Sequence, residues 1–309
     1  MTRYRGLFIL WLLISIFIGT KNVEASVHLN TPNAATYYID CQNGSNSNSG
    51  TSSSQAWKSL DKANETQLNP GDSLLLKRGC VFGGRLVLPW HGTQENKILI
   101  SDYGTGDMPK IQNRVSDIEN DQHHINVRIN GSHIIVENIQ TTIVKAPIDT
   151  NCENQTRGYY VGFAITHDEG VQNSGKFNIV RNVKAVNHTI GSFIGPGSSN
   201  NVVRDSHFRN NNVMQSHTLG RNDELGAWGM LVNGDSNEIA YNLFERNRAW
   251  CSYDGIERPS NSIELFIASD NIIHHNVSID DRVFSELGSN DEKISSNNIF
   301  AFNLIYLLF

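Results

Sequence analysis

A five-residue spacing constrains this chain more than any other feature. Short apolar segments ending in Asn or Asp recur along its second half. In five of them a second Asn or Asp stands five residues after the first: Asn182 and Asn187, Asp205 and Asn210, Asn242 and Asn247, Asn276 and Asp281, Asn298 and Asn303. A further segment, HIIVENIQ, carries Asn138. From Asn138 onward, the first Asn or Asp of successive segments are 44, 23, 37, 34 and 22 residues apart. The short gaps match one solenoid coil of roughly 22 residues, and the longer ones a coil with an inserted loop or two coils. Val, Ile and Phe alternate inside each segment, as in short strands with one buried face. Asn tolerates left-handed backbone at a corner, and Asn side chains stacked on successive coils can hydrogen-bond in a ladder. The pattern is therefore structural rather than catalytic. No regular Leu frame, helical half-repeat or blade signature competes with it. The expected fold is all-β, a right-handed single-stranded parallel β-helix.

The N-terminal part reads differently. Arg3 and Arg5 precede an apolar run from Leu7 to Ile18, and Val23 and Ala25 supply small residues for cleavage, so residues 1–25 read as a secretory signal peptide. The run is shorter than the ~20 residues of a membrane span, so no stable membrane insertion is expected after cleavage. Residues 26–309 form the β-helix domain, with 26–90 as an N-terminal cap and first coils and 91–309 as coils. In the cap, Tyr37–Asp40 and Ser73–Lys77 read as strands, Ala56–Asn64 as a short helix and Pro70–Asp72 as a turn. An atypical terminal unit of this kind covers the first coil of a solenoid. The chain stops on Ile305-Tyr-Leu-Leu-Phe309 with no polar cap. That apolar tail either folds over the last coil or marks a truncated stack, and truncation is the expectation.

Export has further support. Asn43, Asn64, Asn130, Asn154, Asn187 and Asn276 each begin an N-x-S/T triplet, so a secreted, extracellular glycoprotein is expected. Four cysteines, without metal-type spacing, read as two disulfides, Cys41–Cys80 and Cys152–Cys251 being the pairing favoured among three. Of 25 Lys+Arg and 31 Asp+Glu, the leader removes three and one, leaving 22 against 30 and a net charge of −8. Such a balance argues against nucleic acid as a partner. A monomer acting on a polysaccharide or glycan is expected.

The stretch YYIDCQNGSNSNSGT…AWKSLDKAN…LNPGDSLLLKRGCVFGGRL resembles the opening of extracellular right-handed β-helix proteins of the pectate-lyase-like superfamily. The Asn-repeat region from residue 125 onward resembles their coils. Together these cover nearly all of the chain beyond the leader. The resemblance implies the fold; it is weaker for the reaction, because the superfamily holds lyases, hydrolases, epimerases and non-enzymatic adhesins. The block GAWGMLVNGDSNEIAYN…SYDG…SIELFIASDNIIHHN…FSELG also resembles secreted β-helix proteins, in which the paired acidic residues are associated with the carbohydrate face. Here GIERPSN stands where a second aspartyl-glycine is usual, which leaves the role of Asp254 open.

Candidate chemistry centres on Glu264 and Glu286. They are 22 residues apart, the same offset as Asn276 and Asn298, so they are expected as neighbours on adjacent strands ~4.8 Å apart. Two stacked carboxylates raise each other's pKa, act as an acid/base pair, or share a Ca²⁺ that bridges to a uronate. On the preceding coil the same position is expected to hold Met230. Asp254 and Arg258 complete the candidate catalytic set. Trp228, Tyr253, Asp223, Glu224, Arg221 and Lys293 are candidate substrate contacts, the aromatics for stacking on a sugar ring and the basic residues for binding an acidic one. Lys184, Arg204, Arg258 and Lys293 are the candidate bases for proton abstraction. His123-His124 and His274-His275 lack metalloprotease spacing, and no nucleophile elbow, phosphate loop or dinucleotide fingerprint is present. The expected function is cleavage or modification of a polysaccharide, a lyase on uronate-containing polymers being preferred over a glycoside hydrolase. The alternative is a non-catalytic glycan-binding or surface protein.

Overall fold

The computed structural model describes residues 34–114, 123–144, 159–166, 175–216, 225–249 and 261–306. They build three parallel sheets of nine, seven and eight strands, with one small antiparallel pair, Met214–Ser216 against Leu225–Gly226. In the repeating coils the chain visits the three sheets in turn. Ile179–Arg181, Lys184–Val186 and Ile190–Ile194 are one such coil, and Glu238–Ala240, Leu243–Glu245 and Asn261–Phe266 another. Each strand is too short to bury its inner face alone. Stacked, the inward side chains form one continuous core that includes Val136, Val180, Val203, Ile239 and Ile273, and Phe208 stacks on Phe244 with ring centroids 5.4 Å apart. Among the described residues, no helix is long and apolar enough to cross a membrane.

The Asn pattern resolves into two kinds of position. One is a corner residue in left-handed backbone: Asn182, Asp205, Tyr241, His275 and Phe302 at one corner, Asn187, Asn210, Arg246 and Asp280 at the next. The other is the residue directly after it, which points inward. Inward Asn side chains form ladders along the axis. The backbone N–H groups of Asn178, Asn201, Asn237 and Asn271 each donate to the side-chain oxygen of the next member, ending on Asn298. A second ladder runs through Ser206, Asn242, Asn276 and Asn303, and a third through His188, Asn211, Asn247 and Asp281. The Nδ2 groups donate to carbonyls of the coil before, as Asn242 does to Val203 at 2.9 Å. A left-handed corner turns its backbone groups out of the sheets, and a buried one without a partner costs stability, so the inward Asn supplies both a donor and an acceptor.

This corrects the repeat read from the sequence. Asn182, Asn187, Asp205 and Asn210 are corner residues, one position before the ladders that hold Asn242, Asn247, Asn276 and Asp281. Asn298 stacks on Asn271, not on Asn276, so the last coil is 27 residues long at this position. The corner column also changes chemistry along its length. It starts with Asn182 donating to Asn138 at 2.6 Å and ends in stacked rings, Tyr241 on His275 and His275 against Phe302. Three sequons are affected. The Asn276 amide is buried inside its ladder, the Asn64 amide clamps Arg85 and Val87, and both side-chain polar atoms of Asn130 are buried, so none of the three is a free surface acceptor in this fold.

At the N-terminal end, Thr36–Ile39 pairs in parallel with Ser73–Lys77, and Cys41 is disulfide-bonded to Cys80. The α-helix is shorter than expected, Leu60–Asn64, because Trp57 exchanges backbone hydrogen bonds with Tyr38 and Asp40 and lies as a bridge beside Ile39. At the other end, Leu304–Tyr306 adds a strand beside Val277–Ile279 and does not fold over the coil. The leader and the expected Cys152–Cys251 bond lie outside the described residues.

Candidate functional site

On the seven-stranded sheet the outward residues differ sharply from coil to coil. Its strand order is Val283–Gly288, Asn261–Phe266, Trp228–Val232, Ile190–Ile194, Tyr159–Ile165, His123–Ile129, Leu86–Leu88. Side chains alternate across a strand, and parallel register carries each outward position onto the next coil. One register column reads Arg128, Ala164, Phe193, Leu231, Glu264, Glu286. The neighbouring column reads Ile125, Val161, Ile190, Trp228, Asn261, Val283. Val87 precedes Arg128 in the first column, so one arginine stands near one end, an apolar stretch in the middle and two glutamates at the other end.

Glu264 and Glu286 are register partners, as expected, although Asn276 and Asn298, whose equal offset suggested the pairing, do not stack on each other. The residue before them in the column is Leu231. Met230 is paired with Ile263 and buried in the core, one position away from the expectation. The register survives the 27-residue last coil because its five additional residues follow the strand, around the turn in which Asn290 N–H donates to the Lys293 carbonyl. Asn261 holds the pair together: its Nδ2 donates to Glu286 at 2.9 Å and to Glu264 at 3.3 Å. A shared donor keeps the two oxygens within about 6 Å, nearer the ~5–5.5 Å of a retaining glycosidase pair than the wider inverting geometry. Burial pushes the Glu264 carboxyl up to about 7, the Glu286 charge adds to that, and the Asn261 hydrogen bond opposes it. Glu286 itself is exposed. The Tyr159 phenol is raised by its own burial and, next, by the charge of Glu264, so this ring lies within electrostatic reach of the pair.

On the same sheet face is a groove of about 400 Å³, lined by neither glutamate and reaching the column at Leu231, the residue before Glu264. Ile125, Val161 and Ile190 give it an apolar floor, Phe193 and Tyr159 give it rings, and Arg128, Thr166 and Asn233 are its polar groups. The sequence reading missed Arg128, Tyr159, Phe193 and Asn233. Trp228, expected as a stacking platform, is 6% exposed and packs with Ile125, Val161, Ala164 and Ile190 beneath the groove. Lys293 is held by both oxygens of Asp235, at 2.8 and 2.9 Å, beyond the end of the strands rather than at the pair. Lys184 lies on the eight-stranded sheet opposite His207, and Arg204 on the nine-stranded sheet beside Asp205. Arg221, Asp223, Glu224, Tyr253, Asp254 and Arg258 fall outside the described residues. Among the described residues no three His, Cys, Asp or Glu side chains converge, and the Asn261 group facing the pair is the N–H donor.

No protein-family model matches the chain. A curated lacto-N-biosidase of Bifidobacterium longum subsp. longum is 33% identical over 119 residues, 37% of this chain and 7% of that protein. The crystal structure of a GH136 lacto-N-biosidase from Eubacterium ramulus aligns over 88% of this chain and 56% of its own, with a TM-score of 0.54 at 17% identity. The pectate lyase Pel9A aligns over 89% of this chain and 78% of its own, with a TM-score of 0.46 at 14% identity. The chain therefore spans 7% of the curated relative and about half of the lacto-N-biosidase structure. Its fold is a right-handed parallel β-helix, shared with the lacto-N-biosidase structure.

Proposed function

We propose that this protein is a carbohydrate-active enzyme that hydrolyses a glycosidic bond, with Glu264 as general acid and Glu286 as the opposing carboxylate. The observation that carries this is the register pair itself: two carboxylates share one Asn donor, and one of them is buried enough to hold its proton near neutral pH. In the reaction, the Glu264 proton passes to the glycosidic oxygen as the bond from that oxygen to the anomeric carbon breaks. A Glu286 oxygen forms the new bond to that carbon, giving a glycosyl ester. Water then attacks the same carbon, its proton goes to Glu264, and Glu286 leaves as carboxylate.

Hydrolysis is favoured here over the uronate β-elimination expected from the sequence. A lyase needs a basic group at the α-proton and positive charge on the uronate. Among the described residues, only burial, Glu286 and Asn261 set the Glu264 environment, with no cation among them. Two carboxylates would repel a uronate at that point. Two relatives bear the name lacto-N-biosidase, which fits cleavage of a glycosidic bond. The proposed setting is extracellular; the leader and the Cys41–Cys80 disulfide both suit an oxidising compartment.

The test is a screen of the full chain against oligosaccharides and polysaccharides, reading new reducing ends alongside the ultraviolet absorbance of unsaturated products. Glu264→Gln, with an unchanged melting temperature, is expected to lose roughly 10³-fold in kcat, the scale of general acid catalysis. A fully active Glu264→Gln protein, or products that are unsaturated, would overturn the assignment. Glycan binding with no new ends from the wild type would return the protein to the non-catalytic alternative.

A further inference from the structure

We infer that the groove on the seven-stranded sheet binds an apolar aglycone, an alkyl or aryl group on the leaving side of the bond that is cut. The lining of the groove carries the apolar occupant. Its attachment to a sugar rests on the reading of Glu264 and Glu286 as the cleaving pair.

The floor gives the first argument. Ile125, Val161 and Ile190 belong to an apolar cluster separate from the core of the coils, yet they are only 7%, 4% and 3% exposed. They are successive members of one register column, and none of the three side chains offers a hydrogen bond. A sugar ring laid on them would leave hydroxyls without the partners they have in water. An alkyl or aryl group laid there gives up only apolar contact with water, which favours binding. Phe193 and Leu231 continue the apolar surface along the wall. Arg128, the charged member of the lining, is already engaged within the protein.

Unmet hydrogen bonding gives the second, and with it the direction of the ligand. Leu231 lies in the strand next to that of Glu264, and Asn233 directly follows this strand. The Asn233 side-chain oxygen is buried and has no hydrogen-bond partner among the described residues. It calls for an O–H or N–H donor from whatever fills the groove. A sugar hydroxyl at this end, with an apolar group over Ile125, Val161 and Ile190, satisfies both parts of the lining.

Position relates the groove to the carboxylates, which stand outside it. Leu231 and Glu264 are register partners on strands ~4.8 Å apart. Tyr159 lines the groove, and its phenol feels the Glu264 charge. The column runs Leu231, Glu264, Glu286, so Glu264 is the member of the pair on the groove side. A general acid protonates the leaving oxygen, which puts the leaving group on that same side. The substrate class is a glycoside whose aglycone is an alkyl or aryl group.

The probes are methyl, butyl, octyl and phenyl β-glucosides, kept below micelle formation. Binding is measured by calorimetry on the full chain and on Val161→Thr and Phe193→Ala, each checked for an unchanged melting temperature. Val161→Thr keeps the shape of the floor and adds a hydroxyl to it. Affinity should rise about two- to fourfold per added methylene until the groove is full. Each substitution should weaken octyl binding about tenfold and leave methyl binding unchanged. Affinity that ignores chain length, or a chain-length dependence that persists in both variants, overturns the groove assignment. For the sugar found in the hydrolysis screen, kcat/KM is then compared between its methyl and octyl glycosides, whose leaving groups are chemically alike. Cleavage indifferent to chain length sinks the subsite and leaves the hydrolase reading. Chain-length-dependent binding through Val161 and Phe193, with no new reducing ends from any glycoside, keeps the groove and sinks the hydrolase reading.

Discussion

The inner and outer surfaces of the same coils obey different rules. Inward positions repeat: Asn201, Asn237, Asn271 and Asn298 occupy one place on successive coils and make the same pair of hydrogen bonds. Outward positions of the seven-stranded sheet do not repeat, passing from Arg128 through Ala164, Phe193 and Leu231 to Glu264 and Glu286. The difference follows from what each side must satisfy. Inside, every coil presents the next with the same unpaired corner backbone groups, so Asn recurs there, with Ser206, His188 and Asp281 as the departures. Outside, no such demand exists, and variation along the axis can encode the polarity of a ligand. In a solenoid, chemistry is to be sought where the repeat breaks.

The comparison is broken most directly by removing one rung. In Asn242→Ala, the Ser206 N–H loses its acceptor and the Val203 carbonyl loses its donor, both in the buried interior. At about 1–3 kcal/mol for each buried group left unpaired, a loss of about 3 kcal/mol is expected in urea denaturation. Leu231→Ala, on the outer face of the preceding coil, removes a half-buried side chain and should cost about 1 kcal/mol or less. Equal losses from the two changes would mean that the ladders do not carry the fold.

The contrast also explains what could be read from the sequence. The five-residue Asn/Asp spacing is the distance between consecutive corners, so it announced the coils. It misplaced them by one residue because Asn suits both the left-handed corner, as in Asn182, and the ladder beside it, as in Asn242. Where the corner is Tyr241 or His275, the Asn in the motif is the inward one. Glu264 and Glu286 were legible because no insertion separates their strands. Arg128, Phe193 and Tyr159 were not. Offsets along the outward column from Arg128 to Glu264 are 36, 29, 38 and 33 residues, so no fixed period aligns them. The loops that vary those offsets carry no register information of their own.

A middle-sized effect is expected where a charge has entered the ladder. Asp281 ends the third ladder, fully buried, accepting from Asn247 and Ser262, and burial pushes its carboxyl up to about 6. The sign follows from the folded state holding the proton more tightly than the unfolded chain. Stability is greatest below the unfolded value of 3.8 and declines as pH rises to about 6, by up to about 3 kcal/mol at 1.36 kcal/mol per unit. Asp281→Asn keeps the acceptor and removes the charge. It should flatten that slope and raise the neutral-pH stability by about 2 kcal/mol, read from urea midpoints between pH 4 and 8. An unchanged slope would mean that Asp281 is not the group responsible.

The smallest effect sharpens the acidic end of the outer face. If the Glu264 proton is held first by burial and then by Glu286, removing each influence should move its titration in a set direction. Carbon-13 NMR of the Glu264 carboxyl should give a midpoint near 7 in the wild type. Glu286→Gln should lower it, but not as far as the ordinary 4.5, because burial is the larger cause. Asn261→Leu should raise it, since a donor to the charged form is lost. The same proton sets the pH dependence of the proposed acid: activity should fall as pH climbs through the Glu264 midpoint, and Asn261→Leu should carry that limb to higher pH. A limb that stays fixed while the NMR midpoint moves would show that Glu264 titrates as described but is not the proton donor. The outward break in the repeat would then mark a binding face rather than a catalytic one.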